Sequence, residues 1–229
     1  LYQQSFRTGF ELFYGNVKEY CILALLPSYL EREGSSLVYM VNDLIQQSDH
    51  AESGFYLENQ DVLAQKLIRL DSLGVKVLLI GVSFALLDMA EANSLQLKNT
   101  VIMETGGMKG RRKELIREEL HNRIKSGFGI TTVHSEYGMT ELLSQAYSKG
   151  NGIFYTPPWM KVLVRDTEDP LSWNPKGRSG GINIIDLANF YSCSFLATQD
   201  LGKIKDDGGF EILGRFDHAD VRGCNLMVL

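Results

Sequence analysis

Apolar positions in the first 150 residues follow two alternating patterns. Apolar runs at 20–26 and 75–82, the second broken only by Lys76, predict buried strands. Leu37, Met40, Val41 and Leu44, and then Leu63, Leu67 and Leu70, recur at helical spacing and predict helices over 36–47 and 61–73. Asp61 is placed to cap the second helix and Gly74 to stop it. The series continues with a helix near 84–92 and a strand over 100–104. An amphipathic helix carrying Leu115, Ile116, Leu120 and Ile124 follows, with Gly127 as its cap, and then a β-branched strand at 130–133. Such alternation implies a largely parallel sheet with crossover helices.

Beyond about residue 150 the pattern shortens. Strand candidates at 161–165, 181–187, 202–205 and 209–213 are separated by turn clusters such as Thr156-Pro157-Pro158, Asn174-Pro175-Lys176-Gly177 and Asp206-Asp207-Gly208-Gly209. This grammar predicts antiparallel strands. The expected fold is therefore α/β, with an α/β subdomain over 1–150 and a β-rich subdomain over 151–229. The two are expected to pack as one unit around a cleft, a setting that favours ligands.

Composition narrows the function. The chain has 229 residues, 44% of them hydrophobic, enough for a substantial core. A net charge of -5 argues against a broad nucleic-acid surface, and every apolar run falls short of the roughly 20 residues that span a bilayer. Cys21, Cys193 and Cys224 form no Cys-x-x-Cys pair, so neither a disulfide framework nor a zinc site is indicated and a reducing cytoplasm is expected. The opening Leu1-Tyr2-Gln3-Gln4 has neither an initiating Met nor a leader pattern, so an upstream segment is expected.

Candidate chemistry gathers in blocks. Tyr137-Gly138-Met139-Thr140-Glu141 follows a predicted strand at the edge where open α/β sheets place ligands. Tyr137 offers a ring to stack on a base, and Gly138 allows close backbone approach. Thr140 brings a hydroxyl for a phosphate or carboxylate oxygen, and Glu141 a hard oxygen ligand for Mg2+. Read alone, the block is equally a turn leading into a helix capped by Thr140. Asp200 is suited to accept two ribose hydroxyls and Arg215 to donate to ribose or phosphate oxygens; taken singly, they read as a turn Asp and a solvated Arg. Gly106-Gly107, at a strand-to-helix turn beside Lys109, Arg111 and Arg112, offers backbone N-H groups to an adenine or a phosphate. Cys224 beside Arg222 is either a nucleophilic thiol or a small buried hydrophobe. His50, His121 and His134 show no partner pattern, and His218 is at most a candidate base. Phe84, Leu86 and Leu87 suit either an acyl pocket or a helix core.

Together these blocks resemble the adenylate-forming superfamily of acyl and aryl ligases. The run Ser135-Glu136-Tyr137-Gly138-Met139-Thr140-Glu141-Leu142-Leu143-Ser144-Gln145 is similar to the acyl-protein synthetase family, which activates fatty acids in bacterial bioluminescence. Glu104-Thr105-Gly106-Gly107 and the ending from Gly214-Arg215-Phe216-Asp217 through Arg222-Gly223-Cys224-Asn225-Leu226 carry the same likeness. The resemblance implies the large-domain fold of adenylate-forming enzymes, a carboxylic acid substrate, ATP with Mg2+, an acyl-adenylate with pyrophosphate release, and acyl transfer to a thiol. It implies that Gly106, Gly107, Ser135, Tyr137, Gly138, Asp200 and Arg215 bind nucleotide and that Thr140 meets the phosphate. It also implies Glu141 on Mg2+, Asp217 at a hinge and Cys224 as acyl acceptor, with a reductase or other acceptor protein, or CoA, downstream. The superfamily's Ser/Thr/Gly phosphate loop is not in this sequence and is expected upstream. Two rivals stay open: an AMP-forming CoA ligase and a catalytically silent nucleotide- or partner-binding module.

Overall fold

The two apolar runs form neighbouring strands inside a sheet. The computed structural model describes residues 1–26, 34–56, 60–106 and 115–216. An opening helix, α1 (Tyr2–Tyr14), precedes β1 (Cys21–Leu25), α2 (Ser36–Ser48), β2 (Gly54–Phe55), α3 (Gln60–Ser72) and β3 (Val77–Val82). All residues of β1 and β3 are buried, as strands covered on both faces require. Next come α4 (Ser83–Ala92), β4 (Thr100–Thr105), α5 (Arg117–Phe128), β5 (His134–Tyr137) and β6 (Ala146–Ser148). The sheet order is β2-β1-β3-β4-β5-β6, parallel throughout except for the antiparallel β5–β6 pair.

The antiparallel part follows as a second sheet of β7 (Ile153–Phe154), β8 (Met160–Arg165), β9 (Gly180–Asp186), β10 (Phe195–Ile204) and β11 (Phe210–Arg215). Its order is β7-β11-β10-β9-β8. Apolar side chains of β8, β9 and β11 close over Tyr137, Leu142 and Ala146, which come from the edge of the first sheet. The second core is thus built around residues of the candidate motif.

Several local expectations need correction. Gly127 does not cap α5: it lies inside the helix, where a Cβ would stand 2.1 Å from the Ala90 carbonyl oxygen. The absent side chain lets α4 and α5 approach, and Gly129, at φ 67, is the actual left-handed cap. The strand expected at 130–133 begins instead at His134, where pairing with β4 starts at Met103. Asp61 stands in the first turn of α3 rather than before it, so its charge meets the helix's positive end. β10 is longer than expected because the polar Thr198-Gln199-Asp200 stretch is strand, with pairing that shifts between Ala197 and Leu201. Phe84, Leu86 and Leu87 are buried in the first core, the helix-core alternative of the two. Among the described residues no helix is long and apolar enough to cross a membrane.

Candidate functional site

At the carboxyl end of β4, Glu104 is the hub of a buried polar cluster. It accepts from Ser83 Oγ at 2.6 Å and Ser135 Oγ at 3.0 Å, and His121 Nε2 lies 3.3 Å away. Burial opposes its charge, but the hydrogen bond and charge of His121, the Arg117 guanidinium and the Ser83 hydroxyl outweigh burial and bring Glu104 down to about 2. Ser83 Oγ also contacts the Gly106 carbonyl at 2.6 Å, and Gly106 has the left-handed φ of 65 that a side chain disfavours. Ser135, expected among the nucleotide-binding residues, is 1% exposed and braces this cluster. Its partner pattern was hidden in sequence because His121 and Glu104 meet only across α5 and β4.

Alternation along β5 sends Glu136 to the opposite face. There its charge is felt by Tyr147, Tyr14 and Tyr2, and Thr105 Oγ1 donates to its Oε2 at 2.5 Å. Gly138 makes room for this carboxyl: a Cβ there would lie 2.4 Å from Glu136 Oε1. Burial pushes Glu136 up from 4.5 to about 7, with the Thr105 hydroxyl opposing and the Glu104 charge adding. A carboxyl that holds its proton more tightly when folded destabilises the fold as pH rises from 4.5 through about 7. His134, which meets the Tyr14 hydroxyl at 3.1 Å, is held down to about 4 by burial and Lys149. It contributes in the opposite sense, adding stability as pH rises toward 6.5. Glu136→Gln keeps an acceptor for Thr105 and cancels the His134 term against wild type. Its stability advantage is expected to grow from pH 4.5 to about 7 and level at about 3 kcal/mol. Urea unfolding of both proteins across this range checks it, and a pH-independent difference contradicts it.

Tyr137 ends β5 and turns toward the second sheet. Its ring is 5% exposed and meets Phe154 and Phe210 edge-on, and its hydroxyl donates to Asp200 Oδ2 at 2.7 Å. Sequence reasoning gave this ring a stacking role and missed the hydroxyl's partner 63 residues away. Asp200 and Arg215 are direct register partners on β10 and β11. Arg215 Nε stands 3.5 Å from Asp200 Oδ1, and Arg215 Nη2 donates to Gln199 Oε1 at 2.9 Å. Burial raises the Asp200 carboxyl, Tyr137 and Arg215 oppose that rise, and the nearby charge of Glu141 adds to it. The fold therefore brings Tyr137, Asp200, Arg215 and Glu141 to one place.

Between β5 and β6 the chain makes a turn, closed by Leu142 N on the Met139 carbonyl at 3.0 Å, and returns as a strand. Of the readings open in sequence, turn-then-helix is replaced by turn-then-strand. Thr140 and Glu141 are exposed at this turn, while Leu142 is 1% exposed and anchors it. Gly107, Asp217 and Cys224 lie outside the described residues, as do Lys109, Arg111, Arg112 and His218. Of the other thiols, Cys193 is exposed and Cys21 buried, the latter pushed up by burial against a weaker pull from Ser53.

No group of three His, Cys, Asp or Glu side chains able to hold a metal occurs among the described residues. Mg2+ usually takes one or two carboxylates plus substrate phosphates and waters, so an exposed Glu141 carboxylate beside the Thr140 hydroxyl fits that ion without a protein cage.

The same architecture recurs in solved structures. ATP-bound MatB from Rhodopseudomonas palustris superposes with a TM-score of 0.66 at 18% identity, covering 93% of this chain and 44% of that one. McyG A-PCP complexed with phenylalanyl-adenylate gives 0.65 at 17% identity, covering 94% and 43%. A benzoate CoA ligase from Burkholderia xenovorans LB400 gives 0.53 at 15%, covering 86% and 42%. The chain thus spans less than half the length of these proteins and shares their fold. No curated protein matches the sequence. Residues 55–229, well over half the chain, match the family described as LuxE, acyl-protein synthetase. This chain, with its Tyr137–Asp200–Arg215 constellation beside an exposed Thr-Glu turn, belongs to the LuxE acyl-protein synthetase family.

Proposed function

We propose that the protein containing this chain activates a carboxylic acid, a fatty acid in our reading, with ATP and passes the acyl group to Cys224. The convergence of Tyr137, Asp200, Arg215 and Glu141 between the two sheets supports this most directly. Asp200 has lone pairs beyond those facing Tyr137 and Arg215, and we assign them to the ribose hydroxyls. Arg215 neutralises Asp200 and donates to ribose or phosphate oxygens. Tyr137 and the Gly106-Gly107 backbone line the adenine, and Thr140 Oγ hydrogen-bonds the α-phosphate.

The acid's carboxylate oxygen attacks the α-phosphorus, the bond to the β-phosphate oxygen breaks, and pyrophosphate leaves. Groups already fixed around the phosphate stabilise the charge that spreads over it, with little reorganisation at the moment of reaction. Glu141 would hold Mg2+, which neutralises phosphate charge when bound. In the second step the Cys224 thiolate attacks the acyl carbonyl, the carbon–oxygen bond to AMP breaks, and a thioester remains. Asp217 is assigned as the hinge between the steps. Incubating the full-length protein with ATP, Mg2+ and a fatty acid and weighing it tests this reading. One acyl mass on Cys224 is expected; acyl-CoA formed on adding CoA, with no adduct on Cys224, contradicts it.

A further inference from the structure

Two residues at the end of β9 and in the turn that follows it grip the Thr140–Glu141 turn from behind. Asp186, the last residue of β9, has no exposed surface. Its Oδ2 accepts from Leu143 N at 2.8 Å and Ser144 N at 3.0 Å, and its Oδ1 from Ser144 Oγ at 2.6 Å and Ala188 N at 3.1 Å. Three residues on, Asn189 is 5% exposed and donates from Nδ2 to the Glu141 carbonyl at 2.9 Å. Asn189 is itself fixed, its N-H on the Asp186 carbonyl at 3.0 Å and its own carbonyl accepting from Ser194 Oγ at 3.3 Å.

The backbone around Glu141 is thereby held from both sheets. Before it, Tyr137 is fixed by pairing in the first sheet; after it, the amides of Leu143 and Ser144 are fixed by Asp186. Asn189 holds the Glu141 carbonyl itself. Leu142 supplies the apolar packing that anchors the turn, and the Glu141 carbonyl takes a directed hydrogen bond besides. A side-chain donor aimed at the one carbonyl that precedes this packing adds direction rather than burial. A metal ligand oriented by an outer hydrogen bond is the arrangement in which such direction matters chemically.

We propose that Asn189, with Asp186 behind it, is a positioning residue that sets where the Glu141 carboxylate stands relative to Asp200, so that Mg2+-dependent activation relies on the second sheet. This rests on the ligase reading above. The test is acid-dependent exchange of pyrophosphate into ATP by the full-length protein, titrated with Mg2+, for wild type, Asn189→Ala and Asn189→Asp. Both variants are expected to raise the half-saturating Mg2+ about tenfold, with the KM for the acid unchanged. Asn189→Asp matches the side chain in size, so its shift cannot come from a cavity. If both variants lower Tm or exchange without moving the Mg2+ midpoint, Asn189 is scaffolding and the inference is overturned. A wild-type protein with no exchange overturns the ligase reading and the inference with it.

Discussion

Asp200→Ala is expected to lower kcat/KM for ATP by about 100-fold, because the two hydrogen bonds that we propose the carboxylate accepts from the ribose hydroxyls, at about 1.5 kcal/mol each, are lost. It also removes the acceptor of the Tyr137 hydroxyl and the carboxylate beside the Arg215 guanidinium, all deep between the sheets. A buried donor stripped of its partner costs about 2 kcal/mol, which lowers Tm by about 6 °C in a chain of this size. Asp200→Asn separates the two effects. The amide keeps an oxygen for Tyr137 and sacrifices the charge facing Arg215, so its Tm should stay near wild type while the KM for ATP rises. Kinetics and thermal melts on the three proteins decide the matter. An Asp200→Ala protein that melts lower but keeps the wild-type KM for ATP would make Asp200 a tie between the sheets and nothing more.

The second large effect belongs to the thiol. Cys224→Ala is expected to abolish the acyl adduct completely while acid-dependent exchange of pyrophosphate into ATP persists, because the first step forms no bond to sulfur. This split assigns two steps to two groups: activation to the Asp200–Arg215 and Thr140–Glu141 region, capture to Cys224. Intact-mass spectrometry and exchange on the same preparation read both. An adduct that survives the substitution, on the exposed Cys193 for example, would remove Cys224 from the reaction. Cys21 is a poor alternative acceptor, since burial both covers it and pushes its thiol up.

What was legible in the sequence follows from how far apart the deciding contacts lie. β1 and β3 declared themselves because a parallel strand covered on both faces has no polar face to show. The helix pairs showed because amphipathic spacing is local. Asp200 and Arg215 stood out as residue types, and the hairpin turn between them made their pairing across β10 and β11 plausible. α1 carried a readable signal, Phe6, Phe10 and Tyr14 at steps of four before Gly15, but Gln3, Gln4, Arg7 and Thr8 dilute it. β6 and β7, three and two residues long, owe their form to partners rather than to any pattern of their own. Asp186 and Asn189 were invisible for the same reason. Asp186 fell inside the strand expected over 181–187 and Asn189 in no expected element, and their partners stand more than 40 residues upstream. Glu136 looked like one more motif residue; its raised affinity for a proton comes from burial and the Glu104 charge, against the opposing Thr105 hydroxyl, and neither residue is near it in sequence.

The claim that Tyr137, Asp200, Arg215, Thr140 and Glu141 form an acyl-adenylating site is tested most directly by pyrophosphate exchange. The full-length protein is given ATP, Mg2+ and labelled pyrophosphate, with and without a series of fatty acids. Label entering ATP only when an acid and Mg2+ are both present is the expected result. Label that never enters ATP with any acid, from a folded protein that still binds ATP, contradicts it and leaves a nucleotide-binding module in place of a ligase.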